Sequence, residues 1–335
     1  MSRPKNKEEY RAELAEAFAH VLEEKGLEWR KEWNGFGSGS PHNAITKANY
    51  RGCNAFWLSL IAMTKGYPDP RWVTMNQIMD SAGKYHPNEK WHLKKGSTAT
   101  YVEYWYPYDT VTRSAVTWEQ YRADLATGRD EKEYTLSTRY TAVFNASQVE
   151  GMPEVQYAAK SDISQDMLVR TLSENMQVEI LLDGGDQAYY SPLHDEIHLP
   201  APEQFSSEYD FNATALHELS HSTGHYSRLN RPQSALFGTD EYAYEELVAE
   251  MCACFMGAEL QTEAAPKHIE NHKAYVQAWI RGIQEKPETL VRAIKDAQAA
   301  ASYMDLKAGL ISEKEYEKTR SSVMEVKKKE REPER

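Results

Sequence analysis

FNATALHELSHSTGHYSRLNR, residues 211–231, is the stretch on which the reading of this chain turns. Its apolar positions Ala213, Leu216 and Leu219 recur at helical spacing. Asn212 is placed to cap the start of the helix and Gly224 to end it. Residues four apart on a helix differ by roughly 40° in direction, so His217 and His221 project from one face and can share a metal ion. Glu218 is turned by about 100° from His217, within reach of a water at that ion but out of ligand position.

HExxH with a carboxylate so placed is the arrangement of a zinc metallopeptidase, with Glu218 as the general base. Two imidazoles need a third protein ligand. The spacing HExxHxxGxxH is met as far as Gly224, but its last position is Ser227, which cannot supply an imidazole. His225, one residue past the glycine, is an alternative ligand. The better candidate lies in YAYEELVAEMCACFM, residues 242–256, where Glu246 and Glu250 share a helix face with apolar neighbours and Glu245 is expected to point outward. Two carboxylates there are costly to bury unless they are paired or bind metal. The E-x-x-x-D/E spacing is that of glutamate-ligand zincins, in which the first acid binds metal and the second supports a ligand, so Glu246 is the candidate third ligand and Glu250 a support or alternative ligand. The site is thus gluzincin-like and expected to hold Zn2+, although ligands of this kind also accept Mn2+ or Co2+. His225, Tyr226 and Tyr242 are oxyanion candidates. HDEIHLP, residues 194–200, suits the edge strand along which an extended peptide is laid. Cys252 and Cys254 read as core packing.

Working outward, the chain has 335 residues, enough for two domains, and a formal net charge of −12. No stretch reaches the roughly 20 apolar residues that span a bilayer, and the start is charged and amphipathic, so no membrane is expected. Three cysteines are too few for a disulfide framework, which favours a reducing, cytoplasmic setting. The acidity is unevenly spread: residues 30–100 carry ten Lys/Arg against four Asp/Glu, a local excess of six positive charges. In the same part of the chain Trp29, Trp33, Trp57, Trp72, Trp91 and Trp105 are interleaved with basic residues that include Arg30, Lys31 and Arg71. Bases stack on aromatic faces while Lys and Arg follow phosphates, so this composition suits single-stranded nucleic acid.

Periodicity predicts helices over residues 8–25 and 54–65, strands over 98–108 and 140–149, a helix over 165–175, strands over 178–182, 187–191 and 194–200, and about four helices after the motif helix. The segment 109–133 reads as a polar excursion, and the end as a charged tail. The fold class is therefore α+β in two domains: a mixed α/β DNA-binding domain over 1–155, a zincin-like metallopeptidase domain over 156–310 that carries the HExxH helix, and a tail over 311–335.

The blocks NYRGCN (49–54), GYPDPRWVTMNQI (66–78), KKGSTATYV (94–102) and VFNASQVEGM (143–152), followed by DEIHLP (195–200), HELSHSTGHYSRLNR (217–231) and YEELVAE (244–250), resemble the ArdC-type antirestriction proteins of plasmids and phages over nearly the whole chain. The resemblance implies an N-terminal domain that binds single-stranded DNA, a C-terminal zincin-like metallopeptidase domain, and protection of incoming DNA from host restriction. It implies His217, His221 and Glu246 as metal ligands and Glu218 as the base, with Arg51, Lys94 and Lys95 as DNA-binding candidates beside Trp72 and Tyr50. Besides single-stranded DNA the implied partner is a protein substrate, with the host restriction machinery as the candidate, and protection by DNA binding without peptidase activity is one version of this reading. The alternatives are a DNA-binding protein with a structural, non-catalytic metal site and a regulatory peptidase that cleaves a repressor.

Overall fold

The structure, a computed structural model, describes residues 4, 6–26, 29, 39–81, 83–155, 164–183, 185–233, 239–260, 272–317 and 319. Arg30, Lys31, Trp33 and the tail beyond residue 319 lie outside the described residues.

Helix α1 (Lys7–Lys25) starts where the Asn6 side chain accepts from the Glu9 amide and ends at Gly26, whose φ of 54° suits a residue without a side chain. Its face of Tyr10, Leu14, Phe18, Val21 and Leu22 is buried. Helix α2 (Gly52–Lys65) closes on left-handed Gly66, whose amide caps the Ala62 and Met63 carbonyls. Between and after these helices a five-stranded sheet forms in the order β1 (His42–Asn43), β2 (Arg71–Thr74), β6 (Tyr134–Asn145), β4 (Thr100–Asp109), β5 (Ser114–Ala115). Its backbone is the long antiparallel ribbon of β4 and β6. A short helix, α3 (Met75–Met79), and a two-stranded pair, β3 (His92–Leu93) with β7 (Val149–Glu150), flank the sheet.

The polar excursion is folded. Helix α4 (Trp118–Ala126) is capped by Thr117, and the Trp118 indole donates to the Trp105 carbonyl on β4. Arg129 binds Asp109 at 2.9 Å and Glu133 at 2.6 Å, which fastens both ends of the excursion to the ribbon.

The second half begins with α5 (Gln165–Met176) and a three-stranded sheet in the order β8 (Glu179–Leu182), β10 (Glu196–Leu199), β9 (Tyr189–Ser191). Strand β10 pairs parallel with β8 and antiparallel with β9, so it is central. This corrects the sequence expectation that HDEIHLP forms an edge: hydrophobic alternation marks a strand but not its neighbours. Next come α6 (Glu208–Ser222), α7 (Asp240–Leu260), α8 (His272–Glu285) and α9 (Glu288–Lys307). The described residues thus hold three long helices after α6 and a short helical turn from Glu313, where four helices were expected.

Helix α6 packs on β10 and α7, α9 packs on α7 and α2, and α1 packs on α8. One apolar cluster therefore runs from Leu14 and Phe18 through Leu58 and Leu60 to Leu219, Val248 and Ile294. No described helix is long and apolar enough to cross a membrane.

Candidate metal centre

Helix α6 begins at Ser207, whose side chain accepts from the Asp210 amide, and not at Asn212, which is buried within the helix. Ser207 opens a longer first turn, and the two acids in it, Glu208 and Asp210, favour the positive end of the helix dipole. The helix stops at Ser222, and Gly224 stands two residues beyond with its amide bonded to the His221 carbonyl.

Near the end of α6, His217 and His221 turn their Nε2 atoms toward one point, 3.1 Å apart. Glu246 on α7 presents Oε2 to His217 Nε2 and Oε1 to His221 Nε2, each at 3.6 Å. One ligand atom from each of the three residues lies within 4.8 Å of the others. Two imidazoles on one tetrahedral ion stand roughly 3.3 Å apart, so the observed spacing fits a shared cation. The donor set, two nitrogens and a carboxylate oxygen with further positions open, suits a divalent ion such as Zn2+ or Mn2+.

The far side of each ring is also held. Glu250, 1% exposed, places Oε1 3.8 Å from His217 Nδ1, and Glu245 places Oε1 3.5 Å from His221 Nδ1. Glu245 there fixes the tautomer and ring direction of His221, and the charge of Glu250 makes His217 more basic. Glu245 does not point outward as expected. It is buried and gripped by Arg231, at 2.6 Å from Nη2 and 3.2 Å from Nε, while Arg231 also binds Thr223 Oγ1 and the Ser220 carbonyl. Helical phase placed Glu245 off the ligand face, but the loop after α6 curls back, with Arg231 N donating to Gly224 O, and meets it with a guanidinium. The one signal for this partner was Arg231 itself, the last residue of the quoted stretch.

Electrostatics follow from the crowding. Burial alone would lower the His217 pKa, but Glu246, Glu250 and Glu218 outweigh it and push it up to about 9. Burial opposes the charge on Glu246, yet the two histidines hold its carboxyl at about 2. Glu218, 6% exposed, is shifted upward by burial, partly offset by the histidines and by a backbone hydrogen bond from Tyr190. Four buried carboxyl groups, Glu218, Glu245, Glu246 and Glu250, surround two imidazoles and one guanidinium, a balance that added positive charge would complete.

His225 is not in the cluster. Its Nδ1 sits 2.8 Å from Ser227 Oγ and 3.6 Å from Asp195 Oδ2. Asp195, between β9 and β10, also receives the Tyr190 hydroxyl at 2.7 Å and is clamped by Arg228. The DEIHLP block thereby ties the small sheet to the loop after α6, a role that spacing did not reveal. Tyr242 lies against Glu246, and burial followed by that carboxylate keeps its phenol protonated; Tyr226 is exposed. Cys252 and Cys254 are buried, and neither is in a disulfide.

In the first half, Trp72 is fully buried in the main core, so its ring has no face to offer a base; this corrects its place among the DNA-binding candidates. A tryptophan count cannot separate stacking platforms from packing. Tyr50 is half-buried against the same core. Arg51 is exposed at the start of α2, with its guanidinium on Thr319 Oγ1. Lys94 and Lys95 are exposed in their turn, Lys94 donating to the Ser147 carbonyl at 2.8 Å.

A helix that presents two histidines and a glutamate to a second, glutamate-bearing helix, beside a small mixed sheet, defines a zincin-like metallopeptidase fold. Residues 168–296 match the family described as zincin-like metallopeptidase, and residues 8–144 match the N-terminal domain of anti-restriction factor ArdC. The chain thus has a two-domain, ArdC-like architecture, with an ArdC N-terminal domain followed by a zincin-like domain. The solved structure of the antirestriction ArdC protein from plasmid R388, metal-free, is 26% identical with a TM-score of 0.68, covering 90% of this chain and 98% of that one. Its Mn(II)-bound form is 27% identical with a TM-score of 0.67, covering 90% and 99%. Two Escherichia coli DNA primases TraC are 31% and 32% identical over 89% and 87% of this chain. The chain spans 27% and 19% of the length of those two relatives.

Proposed function

We propose that this protein is a cytoplasmic antirestriction factor that grips single-stranded DNA with its N-terminal half and hydrolyses a protein substrate, a component of the host restriction machinery, at a divalent-metal site in its C-terminal half. His217, His221 and Glu246 would hold the ion, which supplies Lewis-acid chemistry when bound. Glu245 orients the His221 imidazole through Nδ1, and the charge of Glu250 makes His217 more basic. Glu218 takes a proton from the attacking water and returns it to the leaving amine, a role that its raised pKa suits.

The observation that carries the peptidase reading is Glu218 itself. A purely structural metal site has no use for a buried general base next to its ligands, and burying one without a task is costly. The names of the relatives, an antirestriction protein of plasmid R388 and DNA primases, support an antirestriction role that involves DNA. The test is transfer of unmethylated DNA into a restricting host that carries wild type, Glu218→Ala or no protein. Protection by wild type alone supports proteolysis as the mechanism. Equal protection by both makes DNA binding sufficient, and protection by neither removes the antirestriction reading.

A further inference from the structure

The ribbon of β4 and β6 has two faces of opposite chemistry. Its register pairs Tyr104 with Arg139, Tyr106 with Ser137 and Tyr108 with Thr135. Side chains alternate along a strand, so these six residues share one face. The ribbon's two carboxylates, Glu103 and Asp109, fall on the other face and are already engaged. Glu103 accepts from the Trp105 indole at 2.7 Å and the Tyr140 hydroxyl at 3.1 Å, and Asp109 is held by Arg129.

On the tyrosine face the rings of Tyr104 and Tyr106 lie 16° from parallel, with centroids 6.5 Å apart. The Arg139 guanidinium stands 4.5 Å from the Tyr104 centroid and 5.9 Å from that of Tyr106. Tyr104 is 44% exposed and Arg139 is exposed. Among the described residues, Asp109, Asp124 and Glu133 of this hairpin pair with Arg129, and no carboxylate pairs with Arg139. Arg113, also exposed, stands in the turn just before β5, beyond Tyr108. A chain with a net charge of −12 thus keeps one strand face free of acid and furnishes it with flat aromatic rings and an uncompensated cation.

That combination fits one class of ligand. Unpaired bases stack on aromatic rings whatever their sequence, and arginine adds a cation–π contact and an attraction to phosphate. Duplex DNA keeps its bases stacked inside and has no use for such a platform. We infer that Tyr104, Tyr106 and Arg139 form a stacking platform for single-stranded DNA. This rests on the reading that the protein binds single strands, and it assigns the contact to the open face of the ribbon.

The test uses the full-length protein and a fluorescein-labelled oligothymidylate followed by anisotropy. Tyr104→Ala and Arg139→Ala are each expected to weaken binding about tenfold, and Tyr104→Phe to bind within about twofold of wild type, since stacking needs the ring and not the hydroxyl. Arg139→Ala is also expected to reduce the slope of log K against log salt by about 0.7, the signature of one lost phosphate contact on a single strand. In the wild type, photocrosslinking of an iodouracil-substituted strand is expected to label the peptide containing Tyr104 and Tyr106, a readout independent of any variant's folding. If wild type binds but the alanine variants bind equally and the crosslink maps elsewhere, the platform is wrong and single-strand binding stands. If wild type binds no oligonucleotide while retaining its native melting profile, the single-strand reading falls and takes the platform with it.

Discussion

His217 and His221 each touch two carboxylates, one on Nε2 and another on Nδ1. The inner carboxylate, Glu246, belongs to the ligand set and the outer ones act through the rings, which separates the expected effects of substitution. Glu245→Gln is expected to lower metal affinity by roughly 10–100-fold while leaving the ligand set whole, measured by competitive titration of Mn2+ or Zn2+. Glu218→Gln is expected to keep metal affinity close to wild type and to cut peptidase kcat by roughly 10²–10⁴-fold, the usual contribution of a general base. A matching loss of metal in Glu218→Gln would make this residue a ligand and undo the assignment. The inner cluster was legible in the sequence because helical phase alone puts residues 217 and 221 on one face and makes 246 and 250 neighbours. Glu245 and Asp195 were not, because their partners Arg231 and Arg228 arrive through the fold of a loop, and loops carry no period.

At the level of elements, the ribbon and its excursion were legible to different degrees. Alternation located β4 to within two residues but caught only the second half of β6, whereas 109–133 read as mere polarity because its order comes from ion pairs. Those pairs give a pH dependence with a definite sign. Arg129, then the Thr112 amide, hold the Asp109 carboxyl well below the usual carboxylate range. A depressed folded-state pKa gives stability that is fully present above the unfolded value of roughly 4 and is lost as pH falls through the lower, folded one. Arg129→Ala should therefore melt below wild type at about pH 7, and the gap in Tm should narrow steadily below about pH 4. A gap that is constant over that range would show that Arg129 contributes packing alone.

Over the whole molecule, the two halves suggested by composition share one apolar cluster, because α1 packs on α8 and α2 on α9. Sequence periodicity shows that α1 has an apolar face but not which distant helix will cover it. Leu60→Ala, at a fully buried position, is expected to cost about 2–5 kcal/mol and to lower the unfolding midpoint of both halves together, as read by near-UV circular dichroism and by protection of α7 amides. Two separate transitions would show that the halves are energetically independent. The pairing of α1 with α8 also has a consequence for synthesis. The first helix ends at Lys25 and its partner begins at His272, so at the usual rate of roughly 5–20 residues per second α1 leaves the ribosome roughly 10–50 s before the surface it needs exists. For that interval the part of the α1 face that α8 will cover stays open on a nascent chain, and a helix translated early is among the last to be fully packed.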